Sequence, residues 1–313
     1  MQRPAGAAVY AGFVHDLLLG SGEVDLVDGR QAAGADAILS LDGRFRAGRG
    51  QRTVTAILDL GHLFERGGYG LGEWLRQNWR VASAVRRSDH LLAPSDAVAF
   101  GLERYLRAPA ARVTMVPATP RSCFRRPPRE AVEAVRQELG LPPRYFLFVG
   151  SRARRKNLGL LAAAWARATA ELGPDVGLVL AGPDRGGVAG AARDLGYVDL
   201  ERLPALMAGA IAWLNPSLYE GSPVGALEAL ASGTPALVAG TGALPRAVGM
   251  AGLVLDPHDP AQWAQALVAV ACHPELRARL SMAALRSAAD VREAQPGWES
   301  LRPALRGADA AGR

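Results

Sequence analysis

Cysteine is scarce in this 313-residue chain: Cys123 and Cys272 stand far apart, with no CxxC pair and no histidine-rich neighbourhood. That pattern excludes a disulfide framework and a zinc site of the usual spacing, and it fits a reducing cytosol. Long hydrophobic runs are missing too. Glycine, proline or a charge interrupts every apolar stretch before the ~20 residues that a membrane-spanning helix requires. The opening MQRPAGAAVYAGFVHDLLLGSGE holds an apolar stretch, but His15 and Asp16 fall inside it and no convincing cleavage site follows. A secretory leader is therefore not expected, and the expected location is the cytoplasm. Lysine is nearly absent: the 36 basic residues are all arginine except Lys156, a bias that a GC-rich genome also produces. Aromatic residues make up only 6% and do not interleave with the basic clusters at 121–129 and 152–156, which argues against nucleic acid as a partner. Anionic lipid or a phosphorylated small molecule remain as counterparts for a chain of net charge +6.

What is present is the composition of a globular protein, 49% hydrophobic and 21% charged, long enough for two domains with separate cores. No internal repeat is visible. Short β-like runs alternate with amphipathic stretches, which is the pattern of a doubly wound α/β fold. In the first part the expected strands are 23–28, 36–41, 53–60, 90–94 and 113–117, with helices near 71–86 and 95–107. The proline-rich stretch PATPRSCFRRPPREA (117–131) is the best linker. The second part predicts strands at 145–150, 176–182, 196–198, 210–216, 235–240 and 252–256. Its helices are expected at 130–139, 157–172, 188–195, 200–208, 224–232, 260–272 and 275–289. Asp259 and Pro260 give the helix at 260–272 a clear start.

Two stretches carry chemistry. In FLFVGSRARRKN an apolar strand ends at Gly150, a basic loop follows, and a helix starts near Asn157, a plausible N-cap. Cations before a helix N-terminus oppose its dipole unless an anion lies between them, so Arg155 and Lys156 point to a phosphate-bearing ligand more than to a tolerated solvent loop. The loop matches neither a P-loop nor a dinucleotide fingerprint. In YEGSPVGALEALASGTPAL, Glu220 precedes an apolar helix and Glu228 lies within it. Acids near a helix start need no function, since the dipole alone favours them by roughly 0.3–1 kcal/mol. Glu228, however, has little solvated surface around it, and a buried carboxylate needs a partner such as a ligand with paired hydroxyls.

Taken in order, FVGSRARRKN, LAGPD, GYVDLERLPALMAGAIAWLNPSLYEG, LEALASGTPALVA and GLVLDPHDPAQWAQAL resemble the donor half of a family 4 glycosyltransferase of the GT-B fold, including its E-x7-E pair. The likeness is close over 145–290 and loose elsewhere. It implies two Rossmann-like domains facing a central cleft: an acceptor-side domain over 1–125, a donor-binding domain over 126–295, and a crossover helix and tail over 296–313. It implies transfer of a sugar, with retention and without a bound metal or cofactor, from a nucleotide-diphosphate sugar to a polysaccharide or glycolipid acceptor. Gly150 and Ser151 would let the diphosphate approach Arg155 and Lys156. Glu228 would bond the ribose, Glu220 would face the transferred sugar, and the backbone of Gly221, Ser222, Val224 and Gly225 would touch sugar or phosphate. Acceptors in that role are often membrane-bound, so peripheral contact with the inner face of a membrane is also expected.

The chain departs from the family pattern in several places. EGSPVGA stands where the family has E-G-F-G-L-P, and Arg246 stands where an acid is common. Leu58 occupies the place of the usual histidine before Asp59, which makes His62 the candidate substitute, although a lone histidine in such a loop is often incidental. No first strand precedes the first helix, so the N-terminal domain is expected to be either reduced or truncated at its start. A catalytically degraded nucleotide-sugar-binding protein is the alternative, and a non-hydrolysing epimerase is a weaker one.

Overall fold

The computed structural model describes residues 6–27, 34–41, 50–185, 188, 190 and 193–306. The chain divides into two compact units, one formed by residues 1–119 and 294–313, the other by 120–293.

In the first unit, helix α1 (Gly6–Gly20) precedes strand β1 (Ala37–Ser40). Strand β2 (Arg52–Ala56), the short helix α2 (Gly61–Phe64) and helix α3 (Leu71–Arg87) follow, then β3 (His90–Ala93), α4 (Asp96–Leu106) and β4 (Val113–Met115). The strands pair in parallel in the order β1-β2-β3-β4. Ser95 starts α4 by accepting a bond from the Val98 N–H at 3.3 Å, the usual duty of an N-cap serine. Buried Tyr10 ties α1 down by donating to the Val116 carbonyl at 3.0 Å.

The sheet of this unit is the smaller of the two. The stretch expected as a strand at 23–28 is not one over 23–27, and residue 28 lies outside the described residues. Residues 22–27 are mostly exposed and pair with no strand. Glu23 instead receives Arg306 at 3.1 Å and Arg302 at 3.8 Å. Strand β2 stops at Ala56 rather than running to residue 60, because Asp59 turns the chain by accepting from the Gly61 N–H at 2.6 Å.

The second unit contains α5 (Arg129–Glu138), β5 (Arg144–Val149), α6 (Leu158–Leu172), β6 (Val176–Ala181) and β7 (Arg193–Asp194). It continues with α7 (Leu203–Ala208), β8 (Trp213–Asn215), α8 (Val224–Ala231), β9 (Ala236–Ala239), α9 (Leu244–Val248) and β10 (Gly252–Leu255). Helices α10 (Pro260–Cys272) and α11 (Pro274–Glu293) close it, and α12 (Trp298–Arg306) returns to the first unit. There Arg52 on β2 donates to the Ala304 carbonyl of α12 at 2.6 Å.

The six strands are parallel in the order β10-β9-β8-β5-β6-β7. Their near-continuous apolar runs follow from burial on both faces. Phe146 and Phe148 pack with α6 and α10 on one face, whereas Tyr145 and Leu147 pack with α7, α8 and α11 on the other. The helix expected at 188–195 fails where it can be seen. Arg193 and Asp194 form β7, held by pairing with Val179 and Leu180, and parts of 186–192 lie outside the described residues. The strand expected at 196–198 is likewise absent: β7 ends earlier, and Gly196 takes a left-handed φ of 65°. Asp259 caps α10 through the Ala261 and Gln262 N–H groups at 2.9 and 3.1 Å. Among the described residues, no helix is long and apolar enough to cross a membrane.

Candidate functional site

In the second unit the loops after β5, β8 and β9 meet at the carboxyl ends of parallel strands, where such sheets bind ligands. Strands β5 and β6 end in very close contact. A Cβ on Gly182, whose φ is 151°, would lie 1.9 Å from the Gly150 carbonyl oxygen, so the LAGPD motif needs glycine there. After Gly150 and Ser151, both half-buried, the chain makes a 3-10 turn over Arg154–Lys156. Asn157 then adopts φ 54°, the left-handed region that asparagine tolerates better than most residues. It stands at the N-cap position of α6 but does not cap through its side chain, contrary to the sequence expectation. Its Nδ2 donates instead to the Pro257 carbonyl at 2.8 Å, tying the basic loop to the turn before α10.

The Leu218 N–H donates to the Arg155 carbonyl at 2.8 Å, joining this loop to the one after β8. Glu220 is buried there. Its Oε1 accepts a short bond from Lys156 Nζ, and its Oε2 lies 3.6 Å from Arg155 Nη1. Burial pushes the Glu220 carboxyl up, but the charges of Lys156 and Arg155 and bonds from Lys156 and Ser217 outweigh it. The group is held below the usual carboxylate range. The loop after β9 supports this arrangement: Ala243 N–H donates to the Glu220 carbonyl at 2.8 Å, and Thr241 Oγ1 to the Ser217 carbonyl at 2.8 Å. Gly242, at φ 52°, passes so near that a Cβ would sit 2.3 Å from the Glu220 carbonyl oxygen.

Helix α8 starts at Val224, just after Gly221 and Ser222. The Ser222 Oγ is buried with no hydrogen-bond partner, as is Trp213 Nε1 beneath Gly225. Glu228 is buried on the same helix. Its partner is supplied by the chain: Arg121 Nε donates to Oε1 at 2.5 Å and Nη2 to Oε2 at 3.1 Å, a two-pronged pair. Burial raises the Glu228 pKa and Arg121 draws it part of the way back. Arg121 also lies over the ring of buried Phe124, 4.9 Å from its centroid.

Arg155, Lys156 and Glu220 thus converge, and Glu228 is engaged by a residue that sequence reasoning missed. Arg121 belongs to the basic cluster at 121–129, for which the sequence suggests anionic lipid or a phosphorylated small molecule as counterpart; nothing in its spacing announces a buried partner over a hundred residues away. His62 belongs to the other unit. It is buried, its Nε2 has no hydrogen-bond partner, and burial lowers its pKa to about 4, so the imidazole is neutral near pH 7. Its backbone carbonyl accepts from Trp74 Nε1 at 2.8 Å.

Two parallel sheets, the second doubly wound with its loop cluster at the carboxyl strand ends, define the GT-B class of fold, and solved structures agree. Sucrose-phosphate synthase from Thermosynechococcus elongatus superposes with a TM-score of 0.69 at 20% identity, covering 96% of this chain and 78% of that one. Anabaena HepE in complex with UDP-glucose gives 0.64 at 18% identity, over 81% of this chain and 71% of that one. Residues 143–273 match the family model described as "Glycosyl transferases group 1". The D-inositol 3-phosphate glycosyltransferase of Thermobispora bispora is 35% identical over 238 residues, 68% of this chain and 54% of that protein. The chain belongs to the group 1 glycosyl transferases, family 4. It spans about half the length of the curated relatives it matches.

Proposed function

We propose that the protein is a retaining glycosyltransferase that moves a sugar from a nucleoside-diphosphate sugar to a polysaccharide or glycolipid acceptor. The observation that carries this reading is the meeting of Arg155, Lys156 and Glu220. Two cations held by one carboxylate are pre-oriented and only half neutralised in net charge. A diphosphate entering beside them meets fixed positive charge, which steadies the negative charge that grows on the leaving group as the anomeric bond breaks. Glu220 faces the transferred sugar and accepts from its hydroxyls. The first-turn N–H groups of α8 and the unpartnered Ser222 Oγ offer donors to sugar or phosphate. Glu228 receives the ribose diol on the lone pairs that Arg121 leaves open. UDP is the first nucleotide to try, since the structurally similar HepE binds UDP-glucose.

Transfer and hydrolysis measured over UDP-, GDP- and dTDP-sugars, alongside calorimetric binding, test the proposal. Turnover of one donor that Lys156→Met abolishes supports it, and absence of binding to every nucleotide overturns it. A second reading, a binding protein that has lost catalysis, draws on Leu58 in the usual histidine position and on the burial of His62. Binding without turnover on any acceptor would favour it.

A further inference from the structure

Arg121 lies outside every motif that resembles a donor site. Its guanidinium nevertheless grips Glu228, with Nε on Oε1 at 2.5 Å and Nη2 on Oε2 at 3.1 Å. The arginine is itself held. Its carbonyl accepts from the Phe124 N–H at 2.9 Å, closing a turn, and its Cζ lies 4.9 Å from the centroid of the buried Phe124 ring. The Phe124 carbonyl in turn accepts from Arg292 Nη2 at 2.6 Å. Arg121 is the second residue of the second unit and Arg292 the second from its end, so both ends of that unit are tied at Phe124. The ring packs in the same core as Ala226, Ala229 and Leu230 of α8, the helix that carries Glu228.

Stability alone does not account for such a grip. Desolvation offsets the attraction within a buried ion pair, and apolar residues of similar volume often serve as well. The pair does supply a carboxylate fixed in orientation and in charge. A two-pronged guanidinium sets the plane of the carboxylate, which a single ammonium does not, and it leaves lone pairs on both oxygens for a ligand. Burial favours the protonated acid, whose O–H would donate instead of accept, and the hydrogen bonds and charge of Arg121 oppose it. Among the described residues, Arg121 is the one charged group that acts on this carboxyl.

We propose that Arg121 is a positioning residue of the donor site: it presents Glu228 as a fixed pair of acceptors, and so makes the site select ribonucleotides over their deoxy counterparts. The proposal rests on the reading of the second unit as a nucleotide-sugar site. A ribose diol offers two O–H donors to the two oxygens of one carboxylate. A 2′-deoxy sugar leaves one of those buried acceptors without its donor, and a site built to bond a hydroxyl penalises its absence. UDP- and GDP-linked sugars are therefore the expected class of donor, and dTDP-linked sugars are not.

The test is titration calorimetry of the full chain with UDP and GDP, each against its 2′-deoxy analogue, over a series of pH values. Wild type should bind one ribonucleotide about tenfold or more tightly than its deoxy partner. Arg121→Gln should lose most of that preference near pH 7, and what remains should vanish at a pH about one unit or more above the wild-type midpoint, because removing the cation raises the pKa of the carboxyl. Arg121→Lys keeps the charge, so it should fold, retain nearly the wild-type pH midpoint and still lose most of the preference with the two-pronged grip. An arginine that only stabilised the fold would leave preference and pH profile unmoved. A folded Arg121→Gln or Arg121→Lys that keeps both overturns the proposal and leaves the donor-site reading standing. Equal wild-type affinity for each ribonucleotide and its deoxy analogue does the same. Binding of no nucleotide at all overturns the donor-site reading, and this proposal with it.

Discussion

Removing the Glu228 carboxylate probes the proposed donor site at a residue to which the chain already commits a partner, Arg121. In Glu228→Ala, Arg121 loses both of its acceptors. Breaking a fully buried pair by deleting one member costs about 3–5 kcal/mol. The Arg121 side chain is 24% exposed, however, and its guanidinium can turn to water, so the stability loss should be nearer ~1–3 kcal/mol. Binding should fall as well. A hydroxyl bonded to a charged group contributes about 1.5–3 kcal/mol. An ionised carboxylate offers about four lone-pair sites, of which Arg121 takes two, so the diol finds two remaining. The lower end of the range applies because Arg121 already draws on the same charge, and ~1.5 kcal/mol corresponds to roughly a tenfold rise in Kd. Titration calorimetry with UDP and with its 2′,3′-dideoxy analogue reads this directly: wild type should prefer the ribonucleotide and the variant should not. A folded Glu228→Ala that binds UDP as tightly as wild type, or keeps the preference, would refute the reasoning.

Other consequences follow from the same geometry. Lys156→Met should weaken UDP binding by tenfold or more while leaving uridine unaffected, checked by competition binding. It should also change acid stability. Glu220 has its folded pKa depressed, so its contribution is present above the ordinary carboxylate range and lost as pH falls through the folded value. Without Lys156 that acid-labile component should shrink in denaturant titrations at a series of pH values. His62, lowered to about 4 from 6.5, stays neutral in the folded protein while the unfolded chain takes a proton, so stability drops between about pH 6.5 and 4. His62→Gln should flatten that drop, and an unchanged slope would show that burial does not govern this ring. Gly242→Ala combines φ 52° with a backbone clash, so it should destabilise by about 1–3 kcal/mol and loosen the site together, seen as a lower Tm and a higher Kd for UDP.

The sequence was most legible where burial on both faces or a local cap decides the structure. Strands such as Val176–Ala181 read directly as apolar runs, and α10 was announced by Asp259 and Pro260. The expected meeting of Arg155 and Lys156 with Glu220 could be read because each stands at a strand end of the same sheet. Less legible were features decided by distant pairing. Residues 193–194 carry a helix-compatible composition, yet β6 recruits them as a short edge strand. Asn157 looked like a side-chain cap and serves as a left-handed hinge bonded to Pro257. In the sequence Glu228 reads as a carboxylate in need of a partner, and the local pattern points to a ligand rather than to Arg121. That an arginine before α5 reaches it depends on the path of the whole linker, which no local pattern encodes.

The ion pair at the centre of the site has one further consequence. Lys156 is the chain's one side-chain primary amine, and it is held against Glu220. An amine-directed acylating reagent therefore has a single internal target, and its yield, read by intact mass, becomes a footprint of that loop. Ligands that cover the ammonium will shield it, and those that merely displace the glutamate will unmask it. The rarity of one residue type turns the protein into its own occupancy sensor, with no engineered label required.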